Sequence, residues 1–189
     1  MGILDLFHKD EVIGSKVLVC CLDPGFDELL KGDAGLYRRY YPATATKIFV
    51  SIQELTAALT QKPDVVHLFC DINSRGEITD RTGNSITGTQ LIQRCCEENV
   101  KLLWIANDNQ PKGCIAGFGA RGTRLNLGMT SSRNDPKFPD FLQKLLFRMF
   151  CGDAMPVAWN DLAPQIPGSA HSDVPDCIFF AGRGTVRLT

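Results

Sequence analysis

Asp71, Asn107, Asp108 and Asn109 bear most directly on chemistry, because they stand where two short apolar runs end in hydrogen-bonding side chains. A carboxylate in such a place can move a proton or orient a base, and a carboxamide can polarise a carbonyl. Neither is an activated nucleophile. Covalent cysteine catalysis needs a thiolate within reach of an imidazole, and the nearest pair by position, His67 and Cys70, lies inside an apolar run where side chains alternate between faces. Both are therefore expected in the core. His171 and Cys114 fall in loops that could approach the same place, and nothing in the sequence joins them. A metal site from His67, Asp71 and Asp108 fails on the same alternation, with no recognised ligand spacing. Gly117-Phe-Gly-Ala-Arg-Gly122 has the glycine pattern of a dinucleotide loop, but a strand-like run, Thr123–Met129, follows where a helix is required. It reads as a helix cap and a turn, so neither a metal nor a cofactor is expected.

The elements that must position these residues form one unit. Asp64–Asp71 and Val100–Asn107 are short and almost continuously apolar, as strands buried on both faces of a parallel sheet are. Between them Leu91, Ile92, Cys95 and Cys96 recur at helical spacing, with Gln90, Gln93, Arg94, Glu97 and Glu98 on the other face. This predicts a βαβ unit with Asp71 and Asn107 at the carboxyl edge of the sheet, where open α/β sheets place ligands. Further strands are expected near Val17, Ile48 and Leu125, with a last one at Cys177–Ala181. Helices are expected over parts of Phe26–Tyr40, broken at Lys31–Gly35, over Ser51–Thr60 behind a capping box, from Asp140 as N-cap, and over Pro156–Leu162. Glu77–Thr79 and Ser85–Thr87 are expected to pair as a hairpin.

The run Val65-Val-His-Leu-Phe-Cys-Asp71 resembles the stretch carrying the catalytic histidine in CHAT domains, bacterial relatives of caspases and separases, roughly V-H-x-x-C/G-H-G. Leu102-Leu-Trp-Ile-Ala-Asn107 similarly resembles the strand that ends in their nucleophile, roughly V-V-L-N-A-C. The resemblance covers the last two thirds of the chain and implies a three-layer caspase-like α/β sandwich with a mostly parallel central sheet. It also implies that the histidine position falls on Asp71 and the cysteine position on Asn107, so the dyad is degenerate. Asp108, Asn109 and the hairpin glycine Gly76 would then line a vestigial cleft that binds without cutting. The implied function is that of an inactive pseudoprotease acting in protein interaction, regulation or scaffolding in a prokaryotic cytoplasm. Two alternatives stay open: an active caspase-like hydrolase with another nucleophile, and a flavodoxin-like domain binding a small ligand at the same edge.

Composition narrows the classes. The 189 residues, 44% of them hydrophobic, suit a single domain over 1–189. A formal charge of −1 gives no electrostatic case for nucleic acid or an anionic membrane. Arg38 and Arg39 beside Tyr40 and Tyr41 are read as side chains lying over a helix end, with a phosphate grip as the lesser reading. The 8 cysteines lack Cys-x-x-Cys spacing and several sit in apolar runs, which favours free thiols in a reducing cytosol. No signal peptide or spanning segment is read at the sequence level. Residues 1–12 read as an amphipathic arm expected to pack on its own domain, with docking to a partner as the lesser reading; residues 182–189 read as a tail that adds an edge strand or hangs free. Leu4, Leu6, Phe7, Val186 and Leu188 are the expected contacts for a protein partner or for self-association.

Overall fold

The computed structural model of the protein describes residues 11–13, 16–108, 124–130, 133–162, 177–183 and 186–188. Strands β1 (Glu11–Ile13) and β2 (Val17–Cys21) lead to helix α1 (Asp27–Tyr40), strand β3 (Ala45–Ile48), helix α2 (Ile52–Leu59) and strand β4 (Val65–Phe69). A hairpin of β5 (Glu77–Thr79) and β6 (Ser85–Thr87) precedes helix α3 (Gly88–Glu97) and strands β7 (Leu102–Ala106) and β8 (Asn126–Thr130). Helices α4 (Phe138–Phe150) and α5 (Met155–Leu162) and strands β9 (Cys177–Ala181) and β10 (Val186–Leu188) follow.

Six strands form one sheet in the order β3-β2-β4-β7-β8-β9. The first five are parallel, and β9 runs antiparallel to β8. Alternation along the strands divides the core in two. Val17, Val19, Cys21, Val65, Phe69, Leu102, Trp104 and Ala106 pack toward α1, α4 and α5. Leu18, Cys20, Val66, Leu68, Cys70, Leu103 and Ile105 pack toward α2 and α3. The molecule is thus a three-layer α/β sandwich, as the alternation of apolar runs and helical patterns predicts. β4 and β7 are neighbours, with Val66 opposite Leu103. Each Val, Leu, Ile or Phe side chain taken from water on either side of such a sheet contributes about 1.5–3 kcal/mol.

Local signals account for most boundaries. The Thr87 hydroxyl accepts from Gln90 N, and the Gln90 side chain returns to Thr87 N, so a complete capping box starts α3. The expected box at Ser51 is half formed: Ser51 Oγ accepts from Glu54 N at 3.2 Å, but Glu54 Oε2 accepts from Val50 N instead. The hairpin pairs in the expected register, Glu77 opposite Thr87 and Thr79 opposite Ser85. Asp80 ties it to α2. Its Oδ1 accepts from Thr82 N and Asn84 N, and its Oδ2 accepts from Ile52 N at 2.9 Å. Burial alone would raise this carboxyl, but the Thr82 hydroxyl, which donates to Oδ1 at 2.7 Å, and then those backbone N–H groups outweigh it and hold the pKa at about 2.

Three expectations need correction. α1 is continuous through Lys31–Gly35. Two helical glycines cost about 1 kcal/mol each, which burial of Leu30, Ala34 and Tyr37 on one stripe, together with Leu36, offsets. α4 begins at Phe138, so Asp140 lies within its first turn and is not its N-cap. Asp135 organises that start, accepting from Lys137 N at 2.8 Å and, through its carbonyl, from Phe138 N. Third, the tail is neither an edge of the main sheet nor loose: β10 pairs in parallel with β1 as a separate two-stranded ribbon, and it packs on α4 and α5. Residues 1–10, with Leu4, Leu6 and Phe7, lie outside the described residues, and for Val186 and Leu188 only the strand is described. Among the described residues no helix is long and apolar enough to cross a membrane.

Candidate functional site

β2 hands the chain to β3 on one side, while β4 and then β7 lie on the other. The loops leaving β2 and β4 part toward opposite faces, and this switch point at the carboxyl edge is where α/β sheets form a ligand crevice. Asp23, two residues beyond β2, and Asp71, two beyond β4, flank it. The β4–β7 pairing ends at Phe69 opposite Ala106, and Cys70 N donates to Ala106 O to extend it. Continuing that register sets Cys70 beside Asn107 and Asp71 beside Asp108.

Asp71 and Asp108 are exposed, whereas Asn107 is fully buried. Of the four residues expected along one polar rim, Asp71, Asn107, Asp108 and Asn109, the two carboxylates are exposed, Asn107 is buried, and Asn109 lies outside the described residues. Its N–H donates to Thr130 O and its carbonyl accepts from Arg133 N, so its backbone extends β7 into the layer beneath the rim. Asp108 is itself held, with Oδ1 accepting from Asn134 N at 2.8 Å and Oδ2 from the Asn134 amide. Asp71 is the perturbed member. Protein packed around its carboxyl, and then the negative charges of Asp23 and Asp108, push its pKa above the usual carboxylate value. Gly76 is buried at φ 76°, a left-handed turn conformation that favours glycine, and its carbonyl accepts from Gly88 N to seat the hairpin on α3. Asn109, Cys114 and His171 lie outside the described residues, as does the glycine pattern 117–122.

Arg81 holds the hairpin over the switch point. Its Nε donates to Leu22 O at 3.1 Å, and its guanidinium forks onto Asp27, whose carboxyl it keeps below the usual range. The Cys21 thiol donates to Asp23 O at 2.8 Å, and burial pushes its pKa to about 12. Such a thiol is inert at neutral pH.

Beneath the edge lies a buried polar cluster. Arg133, 2% exposed, descends from the segment after β8 and forks onto Asp33 of α1, with Nε 3.1 Å from Oδ2. Its guanidinium lies between two rings, 4.5 Å from the Phe138 centroid and 5.5 Å from that of Phe69. His67 Nε2 is 3.2 Å from Asp33 Oδ2 but is not aligned for a hydrogen bond, and Nδ1 is 3.3 Å from the Tyr37 hydroxyl. Trp104 stacks over the imidazole at 11° between planes. Burial disfavours the imidazolium more than Asp33 favours it, so the pKa falls below the ordinary histidine value and the ring is neutral. His67 and Cys70 are core residues, as alternation predicts.

Sequence reasoning missed two residues that shape this edge. Asp23 reads as part of a chain breaker, and only the switch point brings it to Asp71. Arg133 reads as one charge in a polar loop, and no local pattern couples it to a carboxylate 100 positions away. In the Arg38–Tyr41 stretch, Arg38 donates to Thr44 O and the Thr46 hydroxyl, and Arg39 donates to Gln143.

Fold and edge together define a class, a three-layer α/β sandwich with carboxylates at its switch point and a buried carboxamide beneath them. No protein-family model matches the chain, and no curated protein matches it either.

Proposed function

We propose that this protein is a catalytically inactive caspase-like domain of the CHAT type, acting by association in the cytoplasm of a prokaryote. The observation that carries this reading is the β4–β7 pairing: the two positions at which the resembling family keeps histidine and cysteine lie at the ends of adjacent parallel strands, beside a hairpin, and hold Asp71 and Asn107. A buried carboxamide supplies no attacking atom. A carboxylate in place of imidazole lacks the proton that the leaving amine requires. Cys20, Cys21, Cys70 and Cys95 are buried and in no disulfide, in keeping with a reducing compartment.

A flavin or nucleotide site is the weaker reading. Asp23, Asp71 and Asp108 would repel its phosphates, and the turn after β2, Asp23-Pro24-Gly25-Phe26, spends Asp23 Oδ1 on Gly25 N. The working surfaces are the expected terminal contacts, Leu4, Leu6, Phe7, Val186 and Leu188, together with an aromatic patch formed by Tyr40, Phe147 and Phe150. The test is incubation of the purified protein with a peptide library and a thiol-directed activity probe, beside Asp71→Ala and Asn107→Ala. No turnover and no labelling at the sheet edge are expected. Turnover lost in either alanine variant would overturn the reading and restore the hydrolase.

A further inference from the structure

β3 ends the six-strand sheet, so one side of its backbone pairs with β2 and no described strand lies along the other. Phe49 N donates to Cys21 O at 2.9 Å. Backbone groups alternate along a strand, so those of Ala45, Lys47 and Phe49 turn toward β2 and those of Thr46, Ile48 and Val50 turn outward. Val50 is already satisfied, its N–H by Glu54 Oε2 and its carbonyl by Arg81 N. The N–H and C=O of Thr46 and Ile48 bond to none of the described residues. The strand is open as well, with Ala45 and Lys47 exposed, Ile48 at 47% and Val50 just beyond it at 51%. An unpaired edge of this kind is a template for an added strand.

Side chains sort its two faces. On the α2 side Lys47, Phe49, Glu54, Ala57, Ala58 and Gln61 line an open groove of about 410 Å³. On the α1 side Arg38 donates to the Thr46 hydroxyl. A strand laid about 4.8 Å outside β3 puts alternate side chains into the groove and the others beside Thr46 and Ile48. The charge here is one-sided. Lys47 forms no ion pair with any described residue, and Lys16, which donates to Gln61 O, and Arg38 add positive charge near it. Glu54, the carboxylate that lines the groove, is held on Val50 N. A second copy of this chain does not suit the edge. Antiparallel pairing that uses all four free groups would set Lys47 opposite Lys47 of the copy, like charges with Cβ atoms about 4.5–5.5 Å apart, and a lysine on an edge strand works against self-pairing.

We propose that β3 takes up an extended segment of another protein as an added antiparallel strand, with an acidic residue facing Lys47 and apolar residues on either side of it facing Thr46 and Ile48. Each of those two exchanges both backbone bonds with the residue opposite, and Lys47 selects the sequence. This goes beyond the preceding reading and does not rest on catalytic inactivity. The probe is a fluorescein-labelled peptide, Ser-Ala-Val-Glu-Val-Ala-Ser, titrated with the full chain and followed by fluorescence anisotropy. A peptide with lysine in place of its glutamate should bind up to about fivefold more weakly, and Lys47→Glu should reverse that preference. N-methylation of both valines keeps the side chains, removes the two donors of the ladder, and should weaken binding at least about tenfold. In amide hydrogen exchange the peptide should slow Thr46 and Ile48 and leave Lys47 and Phe49, already turned to β2, unchanged. No saturable binding of the first peptide, equal binding of its N-methylated form, or a preference that Lys47→Glu leaves unreversed would overturn the proposal. So would loss of binding in Phe147→Ser/Phe150→Ser with Lys47→Glu unaffected, which would move the docking to that aromatic pair beside Tyr40, 53% and 57% exposed. A dimer in sedimentation that Lys47→Glu abolishes and the peptide does not disperse would assign the edge to a second copy and overturn it too. No readout involves peptide turnover, so catalytic inactivity stands or fails separately.

Discussion

Replacing Arg133 by methionine keeps most of the side-chain volume and removes the charge that faces Asp33. Both groups are almost completely buried, 2% and 1% exposed, so the carboxylate left behind is screened by little solvent. His67 stands nearby as a neutral ring in the wild type, disfavoured as a cation chiefly by burial and in part by Arg133 itself. Stripping one partner from a buried pair costs about 3–5 kcal/mol, and loss of the guanidinium between Phe69 and Phe138 adds roughly 1–2 kcal/mol. Against a domain stability of about 5–15 kcal/mol, a loss of roughly 4–7 kcal/mol should remove a large part of the whole. The double variant Asp33→Asn/Arg133→Met should recover at least ~2 kcal/mol of that, since no buried charge remains. Urea unfolding at pH 7, followed by circular dichroism and extrapolated to water, measures all four corners of the cycle. A cost below ~1 kcal/mol for Arg133→Met, or additive effects of the two substitutions, would refute the claim that this pair anchors the segment after β8.

Two further outcomes follow from the core. The folded pKa of His67 lies below the ordinary value of 6.5, so between those values the unfolded chain holds the extra proton; stability should fall as pH drops through about 6.5 and level off below the folded value, and His67→Gln should flatten that slope in urea titrations from pH 7.5 to 4.5. Gly128→Ala should cost about 1–3 kcal/mol by the same measurement, because a Cβ there would stand 2.8 Å from Trp104 Cζ3 and closer still to Cε3; an unchanged midpoint would mean that the indole can shift freely.

The βαβ unit around Asp71 was legible because strands buried on both faces have little choice but a continuous apolar run, and because the helix between them carries its stripe and its cap locally. α1 is less legible, for the opposite reason. Gly32 and Gly35 signal a break in any local reading, and only the partners that the helix buries, Asp33 with Arg133 and Tyr37 with His67, show why it continues. Counting along its strand puts Asn107 at the edge. Its burial comes from Thr130 and Arg133, which arrive from sequence that no pattern links to β7. The carboxylates at the switch point were half visible: Asp71 and Asp108 follow their strands directly, whereas Asp23 joins them only through the strand order.

The β1–β10 ribbon gives the molecule a mechanical character. Its two strands run in the same direction, so the chain enters at one end of the ribbon, at Glu11, and leaves at the other, at Leu188. A pull applied through those two residues loads the ribbon along its length and strains its hydrogen bonds together, in shear, instead of peeling them one at a time. Tension carried by sequences fused to both ends would therefore meet this clasp before it reached the central sheet. The rate at which three paired residues slip would then set how long the sandwich survives under load.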